Sequence, residues 1–181
     1  MPRTVALDLL HAVLNQHRSL DDALDEHPRI ADLEGRDRAF ARNLAATTLR
    51  RLGEIDHVIA ACVDKPLSGK SLAVQNLLRI GICQLLFLKT PPHAAVATAV
   101  DLAQGRWLSP YKKLVNAVLR RAARDGAGLL NAADGAPLNT PAWLWDAWSA
   151  AYGEETARAI AAAHLGEAPL DLTVKGDADH W

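Results

Sequence analysis

Two clusters of basic side chains are the residues of this chain best suited to chemistry, and the chemistry is phosphate binding. Within residues 36–51, Arg38 and Arg42 stand one helical turn apart on one face, with Arg50 to the side and Phe40 and Leu44 across from them. Within residues 110–125, Lys112, Lys113, Asn116, Arg120 and Arg124 oppose an apolar stripe of Tyr111, Leu114, Val115, Val118, Leu119 and Ala122, and Arg121 adds a further charge. Guanidinium groups arrayed this way can each engage a phosphate, and neutralising several phosphates makes affinity fall steeply with salt. The bland alternative is an ordinary solvated face. It suits the first cluster well, because Asp32, Glu34 and Asp37 are at hand to pair with Arg36 and Arg38. The second cluster meets no nearby acid until Asp125, so its charges are less readily neutralised from within.

Other constellations fail on spacing. Ser68-Gly69-Lys70-Ser71 resembles the end of a phosphate-binding loop, but Asp64 stands where the first glycine belongs and a helical pattern precedes it where a strand should. No glycine-rich turn follows a strand to hold a dinucleotide or S-adenosylmethionine. His11, His17, His27, His57, His93, His164 and His180 are scattered, with no helix-spaced pair joined by a third metal ligand. Cys62 and Cys83 sit inside helical apolar patterns, where free cysteine behaves as a small hydrophobe. His93, after Pro91-Pro92, either touches a ligand or simply starts a helix. Phe40, Phe87 and Tyr111 fit core packing, and Trp107 follows Gly105-Arg106 in a loop. The chain by itself thus reads as a binding module without a catalytic set of its own.

The charge is unevenly distributed. The net charge is −1, yet residues 35–128 carry fifteen Lys or Arg against six acids. Residues 1–34 carry three against seven and residues 129–181 two against eight, so a basic middle lies between acidic ends. That segregation points to a polyanionic partner for the middle. Half of the 181 residues are hydrophobic, enough for a real core. The longest apolar run, 77–88, is interrupted by Arg79 and Gln84 and falls short of the roughly 20 residues of a membrane span. The N-terminus has no signal pattern, so the cytoplasm is the expected compartment.

The elements that must position these residues are helical nearly throughout, and the expected fold class is all-α. Helices are expected over residues 4–16, from a cap at Ser19, over 36–51, onward from a break at Gly53 to about 63, over 71–88, over 93–104 and over 110–125. The 71–88 helix is apolar around most of its circumference and should be central. Residues 126–139, with Gly126, Gly128, Gly135 and Pro137, read as a linker. Thr140-Pro141 reads as a cap and first helical position for a helix carrying Trp143, Trp145 and Trp148, followed by a short helix over 154–164. Leu170, Leu172 and Val174 alternate with polar residues as one C-terminal strand would. The tryptophans at mixed helical phases suit packing onto a neighbouring domain better than base stacking.

Leu77-Leu78-Arg79-Ile80-Gly81-Ile82-Cys83-Gln84-Leu85-Leu86-Phe87-Leu88, Pro91-Pro92-His93-Ala94-Ala95-Val96 and Val115-Asn116-Ala117-Val118-Leu119-Arg120-Arg121, with Arg36-Asp37-Arg38-Ala39-Phe40-Ala41-Arg42 upstream, resemble the NusB-like RNA-binding domain. The closest version is the one at the N-terminus of bacterial rRNA cytosine-C5 methyltransferases of the RsmB (Sun) type. Pro141-Ala142-Trp143-Leu144, Tyr152-Gly153 and Pro169-Leu170-Asp171-Leu172 look like the segment leading into the methyltransferase module. Departures fall at Lys113, where the family commonly has a small glycine, and at Thr173-Val174-Lys175, where it usually has Arg-Val-Asn.

The resemblance implies a NusB-like helical bundle over 1–125, a linker over 126–139 and the incomplete start of a methyltransferase module over 140–181. It implies ribosomal RNA as partner, with phosphate contacts from Arg38, Arg42, Lys112, Lys113, Arg120 and Arg124, and from Arg3 by analogy with the basic N-terminus of NusB proteins. It implies no cofactor in this chain, and S-adenosylmethionine for a longer parent whose catalytic domain lies beyond Trp181. The competing readings are a NusB-type antitermination factor, which binds single-stranded RNA and a ribosomal protein, and a purely structural domain that docks on the catalytic module.

Overall fold

A computed structural model describes residues 1–67, 72–104, 108–168 and 173–177. Ser68 to Ser71 and Trp107, singled out above, lie outside the described residues. The helices are α1 (Pro2–Gln16), α2 (Leu20–Asp25), α3 (Gly35–Arg50), α4 (Leu52–Cys62), α5 (Leu72–Leu86), α6 (Pro92–Leu102), α7 (Lys112–Asn131), α8 (Gly135–Leu138), α9 (Ala142–Tyr152) and α10 (Glu154–His164). The expected all-α class holds among the described residues. Of the expected C-terminal strand, Leu170 to Leu172 lie outside them, and Thr173 and Val174 adopt no strand. One alternating segment cannot satisfy its backbone groups without a partner strand.

Helix α5 is the axle of the bundle. Every residue from Asn76 to Gln84 is buried, and α1, α3, α4, α6 and α7 all pack against it. It lies close against α7 at Gly81, where a Cβ would fall 2.6 Å from a Leu119 methyl carbon. The polar residues on this helix are satisfied internally. Arg79 donates to both carboxylate oxygens of Asp56 on α4, at 2.8 and 2.6 Å, and to Asn76 Oδ1 at 2.8 Å. Asn76 in turn donates to Asn15 Oδ1 on α1 at 3.0 Å. With a side chain only 11% exposed, Arg79 depends on that carboxylate, because an uncompensated buried charge is costly.

Local rules account for several boundaries. Ser19 Oγ accepts from the Asp22 amide at 3.0 Å, the expected cap of α2. Helix α5 ends at Leu86, short of the expected residue 88, and Pro91 and Pro92 form the N-cap and first residue of α6. Elsewhere tertiary packing overrides the local signal. Helix α7 runs six residues past Asp125, through Gly126 and Gly128, because Gly126 is buried with Leu86 of α5 still beneath it. The chain turns at Arg51, and Gly53 lies inside the first turn of α4; a Cβ there would collide with the Leu138 carbonyl oxygen at 1.7 Å.

Residues 132–139 are tied down. Asn139 Oδ1 accepts from the Glu54 amide at 3.1 Å and Asn139 Nδ2 donates to Glu54 Oε2 at 2.7 Å. A residue 85 positions away therefore satisfies a free amide at the start of α4, which has no local side-chain cap. Thr140 does not cap α9; its hydroxyl donates back to the Ala136 carbonyl at 2.9 Å. In the α9–α10 hairpin, Trp148 lies 5.4 Å from the His164 ring and Arg158 covers Trp145 at 5.5 Å while pairing with Asp134 and Glu154. Helix α9 has no buried residue, and Trp143 is 71% exposed.

Candidate nucleic-acid interface

The two basic clusters sit on helices that meet through α5, with no extensive packing on each other. Arg38 and Arg42 are exposed on α3 and border a hollow shared with Asp21, Leu24, Asp25 and Ile30. Arg42 approaches Asp21 at 3.8 Å. The acids that share this hollow, Asp21 and Asp25, come from α2; of the pairing expected for Arg36 and Arg38 with Asp32, Glu34 or Asp37, Arg36 shares a separate hollow with Glu34 and Asp37. Arg3 is half-buried and oriented: its Nε donates to Gln84 Oε1 at 2.6 Å and its guanidinium lies 5.0 Å over the Phe40 ring. The hollow beside it contains Glu34, Arg36 and Asp37.

Helix α7 presents a different surface. Val115, Val118, Leu119, Ala122 and Gly126 are buried, which turns Lys112, Lys113, Arg120 and Arg124 outward as expected. Neither lysine has an ion pair among the described residues. Arg120 Nε donates to Asn116 Oδ1 at 3.2 Å, a neutral partner one turn back that orients the guanidinium and leaves its charge intact. Arg124 is engaged in two bonds to Asp125, at 2.9 and 3.1 Å. That contact holds the Asp125 carboxyl below the usual carboxylate range and raises the Arg124 pKa. Arg121 reaches toward Asp64, 98% exposed, at 3.9 Å.

Beside α7 lies a groove of about 400 Å³, formed with α6 and floored by Val96, Val100 and Ala123. His93, Asn116 and Arg120 supply its polar groups. The spacing of Asn116 and Arg120, i and i+4, was legible in the sequence, but their meeting with His93 was not, because it requires the α6–α7 packing. The sequence placed Asn116 on the polar face of this helix; the groove, and the part Asn116 plays in lining it, are what sequence reasoning missed.

Both thiols are free and buried. Burial pushes Cys83 up to about 11 and also raises Cys62, against which Arg121 acts in the opposite direction. Among the described residues, no group of three His, Cys, Asp or Glu could hold a metal, and no helix is long and apolar enough to cross a membrane.

Fold and surface together define an all-helical bundle around one buried helix, with a cationic outer helix beside an apolar groove. The chain belongs to the NusB family, whose model matches residues 1–124. It is also similar to the ribosomal RNA small subunit methyltransferase B of Pseudomonas putida KT2440, 35% identical over 177 residues, covering 96% of this chain and 40% of that protein. The protein of the same description from Escherichia coli O17:K52:H18 is 33% identical over 175 residues, covering 95% of this chain and 40% of the relative. The chain thus spans about two fifths of the length of these curated relatives. The resemblance read from residues 77–88, 91–96 and 115–121 holds.

Proposed function

We propose that this chain is an RNA-binding module that recruits and positions ribosomal RNA for a cytosine-C5 methyltransferase, with the outer face of α7 as its principal contact. The carrying observation is that Lys112, Lys113 and Arg120 stand exposed on one helix without acid partners among the described residues. Charges left free in this way release counterions when they meet phosphates, and that release supplies much of the affinity of proteins for nucleic acids. The relatives' descriptions as small-subunit rRNA methyltransferases support ribosomal RNA as the polyanion. Arg38, Arg42 and Arg3 are secondary contacts in this reading, since their neighbours include Asp21, Asp25, Glu34 and Asp37.

The residues described do not fit S-adenosylmethionine, whose usual pocket needs a strand, a glycine-rich turn and a helix; no strand exists among them. This reading assigns methyl transfer to the part of a longer protein that the relatives' length allows for. The cytoplasm, where rRNA is modified, is the compartment this reading implies.

The test is a titration of labelled small-subunit rRNA fragments and of a short single-stranded antitermination element against the chain, across a salt series. Preference for a folded rRNA fragment with a steep salt slope is expected. Tighter binding of the single strand, with a stable ribosomal-protein complex, would favour the antitermination role instead. Binding to neither would leave a docking domain.

A further inference from the structure

The α6–α7 groove does more than border the cationic face. Arginine only donates, so the 3.2 Å bond from Arg120 Nε requires the Asn116 carbonyl oxygen to face it, which turns the Asn116 amide nitrogen away from the bond. That nitrogen and the two terminal nitrogens of Arg120 have no partner among the described residues. These three donor groups belong to two residues that line the groove together with Val96, Val100 and the exposed His93. At about 400 Å³ the groove falls within the range of small-ligand clefts, roughly 300–1,000 Å³. Apolar walls suit the face of a planar ring, and the donors suit its edge. The unpaired positive charge of Arg120, with Lys112 and Lys113 on the same helix, suits a phosphate attached to that ring.

We propose that the groove between α6 and α7 seats one unpaired nucleobase of a bound RNA, with Arg120 and Asn116 reading its edge and the α7 lysines holding the adjoining phosphates. The proposal rests on the RNA-binding role and deepens it: the site takes a single-stranded or bulged nucleotide, since a base stacked in a duplex cannot enter. Unpaired bases are the usual targets of sequence-specific RNA recognition, through ring contacts and edge hydrogen bonds. Donors outnumber acceptors at the rim, so guanine, with adjacent O6 and N7 acceptors, and uracil, with two carbonyls, are preferred over adenine.

The experiment measures affinity of the unaltered chain for a single-stranded oligoribonucleotide and for the same strand with one abasic position, scanned along its length. At one position the loss of the base should weaken binding about tenfold. Ala97→Trp, at an exposed groove position, should weaken the intact strand by a similar factor, leave the abasic strand unaffected and keep the salt slope. Equal affinity for every abasic strand, or full affinity of Ala97→Trp for the intact one, overturns the seat. The RNA-binding role would survive that result if Lys113→Ala with Arg120→Ala still weakened binding, and would fall with the seat if no strand bound at all. Guanosine monophosphate binding as tightly as the oligonucleotide would show a free-nucleotide site and likewise overturn the proposal.

Discussion

The outer faces of α3 and α7 carry the same kind of residue at the same helical spacing, yet the fold treats them differently. On α3, Arg38 and Arg42 look onto Asp21 and Asp25 of α2, and Arg42 lies 3.8 Å from one of those carboxylates. On α7, the groove shared with α6 is lined by no acidic residue, and Arg120 is oriented by an amide rather than a carboxylate. Exposed ion pairs are individually weak, but a nearby carboxylate still opposes an incoming phosphate. A cationic stripe is thus a candidate interface only where the packing of its neighbours leaves it unneutralised.

The severest way to break this comparison is to remove the frame that both faces share. Asp56→Ala strands the Arg79 guanidinium inside the bundle and should cost about 3–5 kcal/mol, by denaturant unfolding, which is the penalty of an uncompensated buried charge. Cys83 supplies the folding control for every variant. Because its native pKa is about 11 against an ordinary 9.0, it should resist alkylation at neutral pH until the chain unfolds. The folded form favours the protonated thiol, so its contribution to stability is complete below pH 9 and is lost as pH rises from 9 toward 11. A rapid native-state reaction at pH 7 would contradict that burial.

Within a folded chain, Lys113→Ala with Arg120→Ala should lower rRNA affinity by more than about tenfold at low salt and reduce the salt slope by roughly one for each cation removed. Arg38→Ala with Arg42→Ala should cost less, about threefold or under. The reverse order would transfer the interface to α3. The smallest effect sharpens the comparison from the other side: Asp125→Asn removes the charge that pairs with Arg124 and one of its two acceptor oxygens, and affinity should rise about twofold with a slightly steeper salt slope.

Much of the frame was legible because it follows from periodicity. The central position of α5, the capped start of α2 and the apolar stripe of α7 are consequences of residue types at fixed local spacing. The rest depended on partners distant in sequence. Gly126 looked like a helix end and is a helix interior, because Leu86 lies against it. Residues 126–139 looked like a linker by composition, whereas Asn139 reaches Glu54 to satisfy the start of α4. Arg38, expected to pair with its sequence neighbours, instead lines a hollow with Asp21 and Asp25 of α2, where Arg42 approaches Asp21.

By itself the sequence determined where most of the helices lie, which face of each is apolar and where positive charge accumulates, since these depend chiefly on side-chain chemistry and the 3.6-residue turn. Only the tertiary structure decided which charges remain free and which groove they border. That depends on which helices pack side by side, and Asp21 beside Arg42, or His93 near Arg120, are neighbours the chain creates only by folding around α5.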